Sequence, residues 1–408
     1  MIFVYFLIFA MPFYHHPIID SGSGMLTPTK AMGVLGLATA GLYVIRRHVP
    51  DYLQTRQAKL FLAMVALAFV SFLIHGRPPN LEEVGSPIVN YASMVVFFVI
   101  VVSLVDTTEK IRHTLLVANV SIAFASLYIL REYQEYHTVS SGFRPGGKVL
   151  GDANYFSLAA MLTLPIGYFY LMSEPRPFYR RVTVVCVLIT SVAIAVSGSR
   201  GGLLALFAFI AFVVMRSRRR LRNFCLLVLI LIPPMLLVPK NPISRMLKPD
   251  VADRLAVRTR IETWKAGIRM CKEHPLMGIG LGEFKTLIGT YAEDPRLSKL
   301  AHNTYLEIAA ELGIVCLIVY LFLIFETYRS LRWTSEIAKR MHAPLLYGIA
   351  TGMQGGIVGF LVSSFFLSAE YVKVFWFYVF FSIVLVRVSR AWARQQLKPS
   401  RANMGLHG

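Results

Sequence analysis

Basic residues with phosphate-binding chemistry occur in three separate stretches of the sequence, one of them the turn-like SGSRGG at residues 197–202. An arginine guanidinium is a rigid fork that stays charged at any working pH and fits phosphate oxygens. Each of these cations alone is more often a surface charge. If they converge, they predict a site for an anionic group such as a diphosphate. The candidate cations are Arg200, Arg254, Arg258, Arg260, Arg144 and Lys148.

One histidine stands where it can accept a proton. His302 precedes the stretch NTYLEIAAELGI, in which Thr304 and Glu307 have the spacing of a capping box, so a helix is predicted to begin right after the histidine. The positive end of that helix disfavours imidazolium and keeps the ring neutral. It also favours an anionic leaving group. From these residues alone, the alternative is an interfacial histidine that makes one hydrogen bond.

Several familiar motifs are incomplete or missing. GFRPGGK at residues 142–148 fits the phosphate-loop spacing, but Val149 replaces the Ser or Thr that holds magnesium, and no strand precedes it. GIGLG at residues 278–282 lacks a Rossmann context and predicts a turn. The chain has no DxD, HExxH or GxSxG motif, and its four cysteines lack metal-site spacing. We therefore predict no metal ligands and no cofactor.

The elements that must position these residues are membrane helices. Of the 408 residues, 56% are hydrophobic and only 16% are charged, whereas globular domains are about half apolar and a quarter charged. The apolar residues form runs of the roughly 20 residues that cross a bilayer. We predict an all-α integral membrane protein, one polytopic domain over residues 1–408. The predicted spans lie near residues 1–19, 29–45, 60–75, 88–105, 114–130, 154–173, 182–197, 201–215, 224–238, 304–325, 344–369 and 372–386, about twelve in all.

The placement of the charge predicts the orientation of these spans. The net charge is +20, which raises the possibility of nucleic-acid binding. With both termini inside, the inner loops and the tail at 387–408 hold 23 of the 42 Lys and Arg residues. Outside, 12 lie in the long loop 239–301 and 7 elsewhere. Because long loops cross regardless of charge, the comparison is 23 against 7. We predict a cytoplasmic tail, a large external loop and no nucleic-acid partner.

The outer segments predict how the cations meet. Apolar residues at helical spacing among basic ones (Leu255, Ile261, Trp264, Ile268 and Met270) predict an amphipathic helix on the outer membrane interface, or alternatively a solvated helix. The spans near 182–197 and 201–215 are short for a hydrocarbon core of about 30 Å, so the turn between them is predicted to lie below the outer membrane surface. Arg200 would then lie at membrane depth and face a polar cavity. The alternative is an Arg200 side chain that reaches the outer headgroups.

Three blocks of the sequence resemble the O-antigen ligase and polymerase superfamily of bacterial envelope enzymes, which shares the Wzy-C type domain. They are SGSRGGLLAL at residues 197–206, RTRIETWKAGIRMCKEHPLMGIGLGEF at 258–284 and HNTYLEIAAELGI at 302–314. A weaker match is GDANYFSLAAMLTLP at 151–165. The blocks follow the family order, whereas the first 130 residues match only in hydropathy.

The resemblance implies a bacterial inner-membrane glycosyltransferase with GT-C-like architecture and a periplasmic active site. The donor would be an undecaprenyl-diphosphate-linked glycan, and the acceptor would be the lipid A–core oligosaccharide. Membrane lipids would be further partners. His302 would be the catalytic base and Arg258 the second catalytic residue, although R-T-R offers Arg260 equally. Among the other cations, Arg200 would match an essential arginine, and Arg254, Arg144 and Lys148 would help to bind substrate. Asn154 and Asn303 are further candidates for substrate binding.

The resemblance leaves several functions open. O-antigen ligase is the favoured function, and O-antigen polymerase, which uses the same donor but a carrier-linked acceptor, is the close alternative. A protein-glycosylating ligase would carry a longer C-terminal part. A twelve-span transporter built from repeats would show matching halves, and no half-repeat is visible. A flippase would also need arginines in a cavity, so the arginine cluster alone does not exclude it.

Overall fold

The computed structural model describes residues 1–13, 27–47, 51–75, 86–136, 145, 151–216, 220–237, 242–247 and 251–402. Within these ranges, the regular structure consists of α-helices and short 3₁₀ turns, without a strand. The helices are α1 Ile2–Ala10, α2 Pro28–Arg47, α3 Arg56–His75, α4 Pro87–Leu104, α5 Thr108–Tyr136, α6 Ala153–Ser173, α7 Pro177–Val196, α8 Arg200–Arg216, α9 Arg220–Leu237, α10 Pro242–Leu247, α11 Val251–Glu273, α12 Phe284–Tyr291, α13 Thr304–Arg340, α14 Pro344–Ser363 and α15 Lys373–Ala402.

Nine helices in the described part of the chain are long and apolar enough to cross a membrane: α2 to α7 and α13 to α15. The predicted all-α integral membrane fold is therefore confirmed, and the chain is a multi-pass membrane protein. Three of the predicted spans, those near 1–19, 201–215 and 224–238, are not among these nine helices. They correspond to α1, α8 and α9. Helix α1 has 9 residues before a 3₁₀ turn that contains Pro12. Helix α8 has 17 residues, or about 26 Å at the usual rise per residue.

Helices α6 and α14 pack backbone to backbone at the centre of the bundle. A Cβ atom on Gly352 would stand 2.7 Å from the carbonyl oxygen of Pro165, and one on Gly348 would stand 2.7 Å from that of Phe169. Small residues are the usual means by which membrane helices approach this closely. Because α6 begins at Ala153 and α14 ends at Ser363, this contact brings Asn154 beside the residues that follow α14.

The bundle has two ends that differ in their contacts. We call the end where α6, α8 and α13 begin the site end. There, the Tyr155 hydroxyl donates to the Ser368 carbonyl at 2.8 Å, and the Ser71 hydroxyl donates to the Glu311 carbonyl at 3.3 Å. At the other end, which we call the opposite end, Arg112 of α5 donates to Glu174, the residue that follows α6, at 2.8 Å.

Residues 251–301 form an ordered cap over the site end. Helix α11 has 23 residues, and its Met270 is buried against α12 residues such as Phe284. Leu255 and Ile268 of α11 are exposed on its other side. A helix over these residues is therefore confirmed, but its apolar residues divide between an inward and an outward face. Its position at the outer membrane interface stays a prediction.

Helix α13 is broken where this cap meets it. Gly313 has a φ of 82°, and a Cβ atom there would stand 2.0 Å from the Leu276 carbonyl oxygen. Across the break, the amide of Ile314 donates to Pro275 at 2.8 Å, and the amide of Ile279 donates to Ala310 at 2.8 Å. The GIGLG stretch is thus a turn, as predicted, and its backbone bonds hold the first two turns of α13 in place.

Candidate active site

Arg200 follows a buried turn between α7 and α8. The Ser199 hydroxyl donates to the Asn154 side-chain oxygen at 2.9 Å, and the Ser197 and Ser157 hydroxyls are 2.8 Å apart. A Cβ atom on Gly202 would stand 2.8 Å from the Ser157 Cβ. The serines and glycines of SGSRGG therefore hold the start of α8 closely against α6.

Helix α7 is longer than predicted, so short helices do not explain the depth of this turn. We expected two helices too short to cross, over residues 182–197 and 201–215. Helix α7 instead has 20 residues, because it begins at Pro177, a proline at the first helical position that needs no amide partner. The turn is nevertheless buried, with Ser197 and Ser199 at most 1% exposed, because it packs against α6.

Arg200 and Arg260 line the same cavity, which has a volume of about 100 Å³ and also includes Asn154 and Leu367. Arg200 approaches Asp253 at 3.5 Å. Among the described residues, the buried Nε atom of Arg260 has no hydrogen-bond partner. Burial and the charge of Arg200 lower the pKa of Arg260, and the charge of Asp152 opposes them. Two arginines that line one cavity, one of them with an unbonded buried Nε atom, suit an anion.

His302 lies just before α13 with an unusual backbone. Its φ is 46°, and its amide donates to the Ser368 hydroxyl at 3.0 Å. Burial lowers the pKa of the ring, and the charges of Arg260 and Lys299 lower it further, whereas Asp152 opposes them. The buried Nδ1 atom has no hydrogen-bond partner among the described residues. The imidazole is therefore neutral near pH 7, with a nitrogen available to a substrate.

The cap of α13 differs from the prediction. Asn303, not Thr304, is the N-cap, and its side-chain oxygen accepts from the amides of Tyr305 and Leu306, both at 3.1 Å. The predicted capping box is therefore wrong, because Asn serves this position as well as Thr does. Thr304 instead donates to the Leu367 carbonyl at 2.6 Å. Asn303, a candidate for substrate binding, thus has a capping role.

The segment after α14 supplies residues that our sequence analysis missed. The Ser368 hydroxyl accepts a hydrogen bond from the His302 amide and donates one to the Glu307 carboxylate. Ser368 and Glu307 are both buried. Glu370 is 1% exposed, and burial raises its pKa to about 7. The stretch SSFFLSAE at residues 363–370 offered one signal, a carboxylate at the end of an apolar span. The contacts of Ser368 with His302 and Glu307 join residues that are far apart in the chain, so no local sequence pattern predicted them.

The other predicted residues have various positions. Arg254 and Arg258 are exposed on α11, and Arg258 is not among the residues that line the cavity of Arg200 and Arg260. Asn154 lines that cavity. Arg144 and Lys148 lie outside the described residues. No group of three or more His, Cys, Asp or Glu side chains in the described ranges has the arrangement of a metal site.

The sequence model of the O-antigen ligase family matches residues 185–321. Over these residues the chain is similar to the O-antigen ligase family. The matched stretch extends from α7 to the middle of α13, so it contains Arg200, Arg260 and His302. It confirms the resemblance seen in the three sequence blocks and indicates an enzyme of the O-antigen ligase or polymerase type. No curated protein matches the chain significantly.

Proposed function

We propose that the protein is an inverting glycosyltransferase that moves O-antigen polysaccharide from undecaprenyl diphosphate to the lipid A–core oligosaccharide. The observation that carries the proposal is the meeting of Arg200 and Arg260 in one cavity, beside a neutral histidine whose pKa Arg260 lowers. An anionic leaving group and a hydroxyl nucleophile need these two kinds of side chain. The match of residues 185–321 to the O-antigen ligase family supports the same class of reaction.

The proposed reaction is a direct displacement at the anomeric carbon. The acceptor hydroxyl gives its proton to the imidazole of His302 while its oxygen forms the new bond to the anomeric carbon. The bond between that carbon and the phosphate oxygen breaks, and its electron pair leaves with the undecaprenyl diphosphate. Arg200 and Arg260 stabilise the charge of the departing diphosphate, and His302 later releases the proton to water. A positioned base typically contributes 10²–10⁴-fold and electrostatic stabilisation often more.

We further propose that the site end faces the periplasm and that the membrane is the bacterial inner membrane. The bias of 23 basic residues against 7 supports this orientation. Residues 216–222 would then be cytoplasmic and residues 251–301 periplasmic. A cysteine label that reached residues 216–222 from the periplasm would contradict the orientation.

The decisive experiment is a transfer assay with the purified protein in lipid vesicles. With the carrier-linked glycan as donor and lipid A–core as acceptor, we expect glycan-capped lipid A–core and free undecaprenyl diphosphate. A deletion strain should retain polymer on the carrier and lose all capped lipopolysaccharide. If the strain instead capped its lipopolysaccharide with single repeats, the protein would be the polymerase.

A further inference from the structure

A second cavity lies away from the arginines, between α1, α2 and α4. Its volume is about 490 Å³. Its walls are mostly apolar, and its polar lining includes Thr29, Lys30 and Lys373. We call this cavity the lipid groove. The apolar walls include Leu7, Met11, Val34, Leu37, Val89 and Val96.

The lipid groove has the depth of one membrane leaflet. Along α2 it runs from Thr29 to Leu37, a distance of about 12 Å at the usual helical rise. Half of a hydrocarbon core of about 30 Å is about 15 Å. Val34 and Leu37 are themselves exposed, so the groove opens towards the surrounding lipid. Its shape suits a hydrocarbon tail that enters from a single leaflet.

The lysines stand where a lipid headgroup would lie. Lys30 is in the first turn of α2, and Lys373 is the first residue of α15. Both helices begin at the site end, since Tyr43 near the other end of α2 bonds to Asp106 beside Lys110 at the opposite end. An ammonium group is a point charge that binds phosphate and whose stem packs along apolar walls. An anionic lipid therefore matches both parts of the groove.

A short segment connects the lipid groove with the active site. Leu367 lines the cavity of the arginines, and six residues later Lys373 lines the groove. Between them, Ser368 holds the amide of His302. The segment that positions the histidine therefore begins at a lining residue of one cavity and ends at a lining residue of the other. A transfer between two lipid-anchored substrates needs such a pair of places, because both tails must be accommodated at once.

We propose that the lipid groove binds the acceptor lipid, with a lipid phosphate at Lys30 and Lys373 and one acyl chain along α2. This proposal rests on the function proposed above. The donor's diphosphate has its forked partners in Arg200 and Arg260, whereas the lysines offer only point charges. The groove is thus assigned to the substrate that receives the glycan.

Two glycines of α2 allow a matched test. A Cβ atom on Gly33, which lines the groove, would meet only Val96 Cγ1 at 3.9 Å, so the position has space for a side chain. A Cβ atom on Gly41 would meet nothing within 4 Å. Gly33→Leu should raise the KM for lipid A–core about tenfold, equivalent to the loss of about two buried methylene groups. Gly41→Leu should leave the KM for lipid A–core unchanged. Gly33→Leu should leave the KM for the donor unchanged.

The lysines allow a second test that does not add volume. Lys30→Gln should raise the KM for lipid A–core about fivefold and reduce its dependence on salt, since the contact is electrostatic. Lys59→Gln is the control, because Lys59 is exposed on α3 near the opposite end. If both Gly33→Leu and Lys30→Gln raised the KM for the donor instead, the groove would hold the donor tail, and the proposal would be overturned.

A binding measurement separates this proposal from the function on which it rests. A photo-crosslinking residue at Val34 should capture lipid A–core from phosphatidylcholine vesicles in clear preference to the host lipid, and Lys30→Gln should abolish that preference. Capture with preference, but without glycan transfer, would refute the proposed function and support the groove. If lipid A–core and phosphatidylcholine were crosslinked equally, the groove would bind the surrounding lipid without preference. The proposal would then be wrong, whether or not the protein transfers glycan.

Discussion

The two ends of the bundle hold their arginines in different ways. At the opposite end, Arg112 donates to the fully buried carboxylate of Glu174 at 2.8 Å and also bonds to Glu109, which pairs with Arg176 at 2.8 Å. At the site end, Arg200 has a 3.5 Å contact with Asp253, and Arg260 keeps an Nε atom without a partner among the described residues. Well-paired arginines tie helices together. Arginines with a longer ion pair or an unbonded Nε atom can contact an anionic substrate.

The strongest test of this comparison is His302→Gln. Glutamine can hydrogen-bond but cannot accept a proton near pH 7, so we expect glycan transfer to fall about 10²–10⁴-fold. The diphosphate lipid should still bind, because the arginines are unchanged. Transfer rates and lipid binding are measured on the same preparation. Near-normal transfer by this variant would reduce His302 to a positioning group.

The wild-type pH profile tests the same assignment. Burial and Arg260 lower the pKa of His302 below its ordinary value of 6.5. A base works only when neutral, so transfer should decline as the pH falls through this lowered pKa and stay constant above it. The acidic limb should therefore lie below pH 6.5. A limb centred above that value would show that another group titrates.

The pair Arg260→Lys and Arg258→Lys sharpens the comparison at the site end. Lysine keeps the charge but loses the fork, so Arg260→Lys should lower transfer about 10²-fold. Arg258 is exposed and is not among the residues that line the cavity, so its substitution should change transfer less than about threefold. Steady-state kinetics with the lipid donor measure both. The reverse result would move the phosphate site to the outer face of α11.

At the opposite end, Arg112→Ala should affect stability rather than chemistry. Removing one partner of a buried ion pair typically costs about 3–5 kcal/mol, because the other charge stays buried. We expect a lower melting temperature in detergent and a normal kcat for the folded fraction. Arg131→Ala is the control, since its pair with Glu135 is exposed and should matter little. A specific loss of kcat in Arg112→Ala would break the division between the ends.

The smallest expected effect is that of metal removal. In the described ranges, no three His, Cys, Asp or Glu side chains form a metal site, and the arginines supply the positive charge. Transfer by the purified protein should therefore be unchanged in excess EDTA. Abolition by EDTA and restoration by a divalent ion would refute leaving-group stabilisation by arginine alone.

The sequence predicted those features that depend on local spacing. The amphipathic helix α11, the turn at residues 278–282 and a helix start beside His302 all follow from patterns within a few residues. Which of Arg258 and Arg260 shares a cavity with Arg200 did not follow, because neighbouring arginines look alike until the helix is oriented. Ser368 and its contact with Glu307 were missed for a related reason. Their contact joins residues 61 positions apart in the chain.

The break in α13 at Gly313 has a consequence for how the protein folds. A broken helix leaves amides and carbonyls without internal partners, and each would cost several kcal/mol if left unsatisfied in hydrocarbon. Here the Ala310 carbonyl accepts a hydrogen bond from the Ile279 amide of the cap, and the Ile314 amide donates one to the Pro275 carbonyl of the cap. The cap and the membrane helix therefore complete one cooperative unit. Neither can reach its native hydrogen bonding before the other, so residues 251–301 are not a separable module.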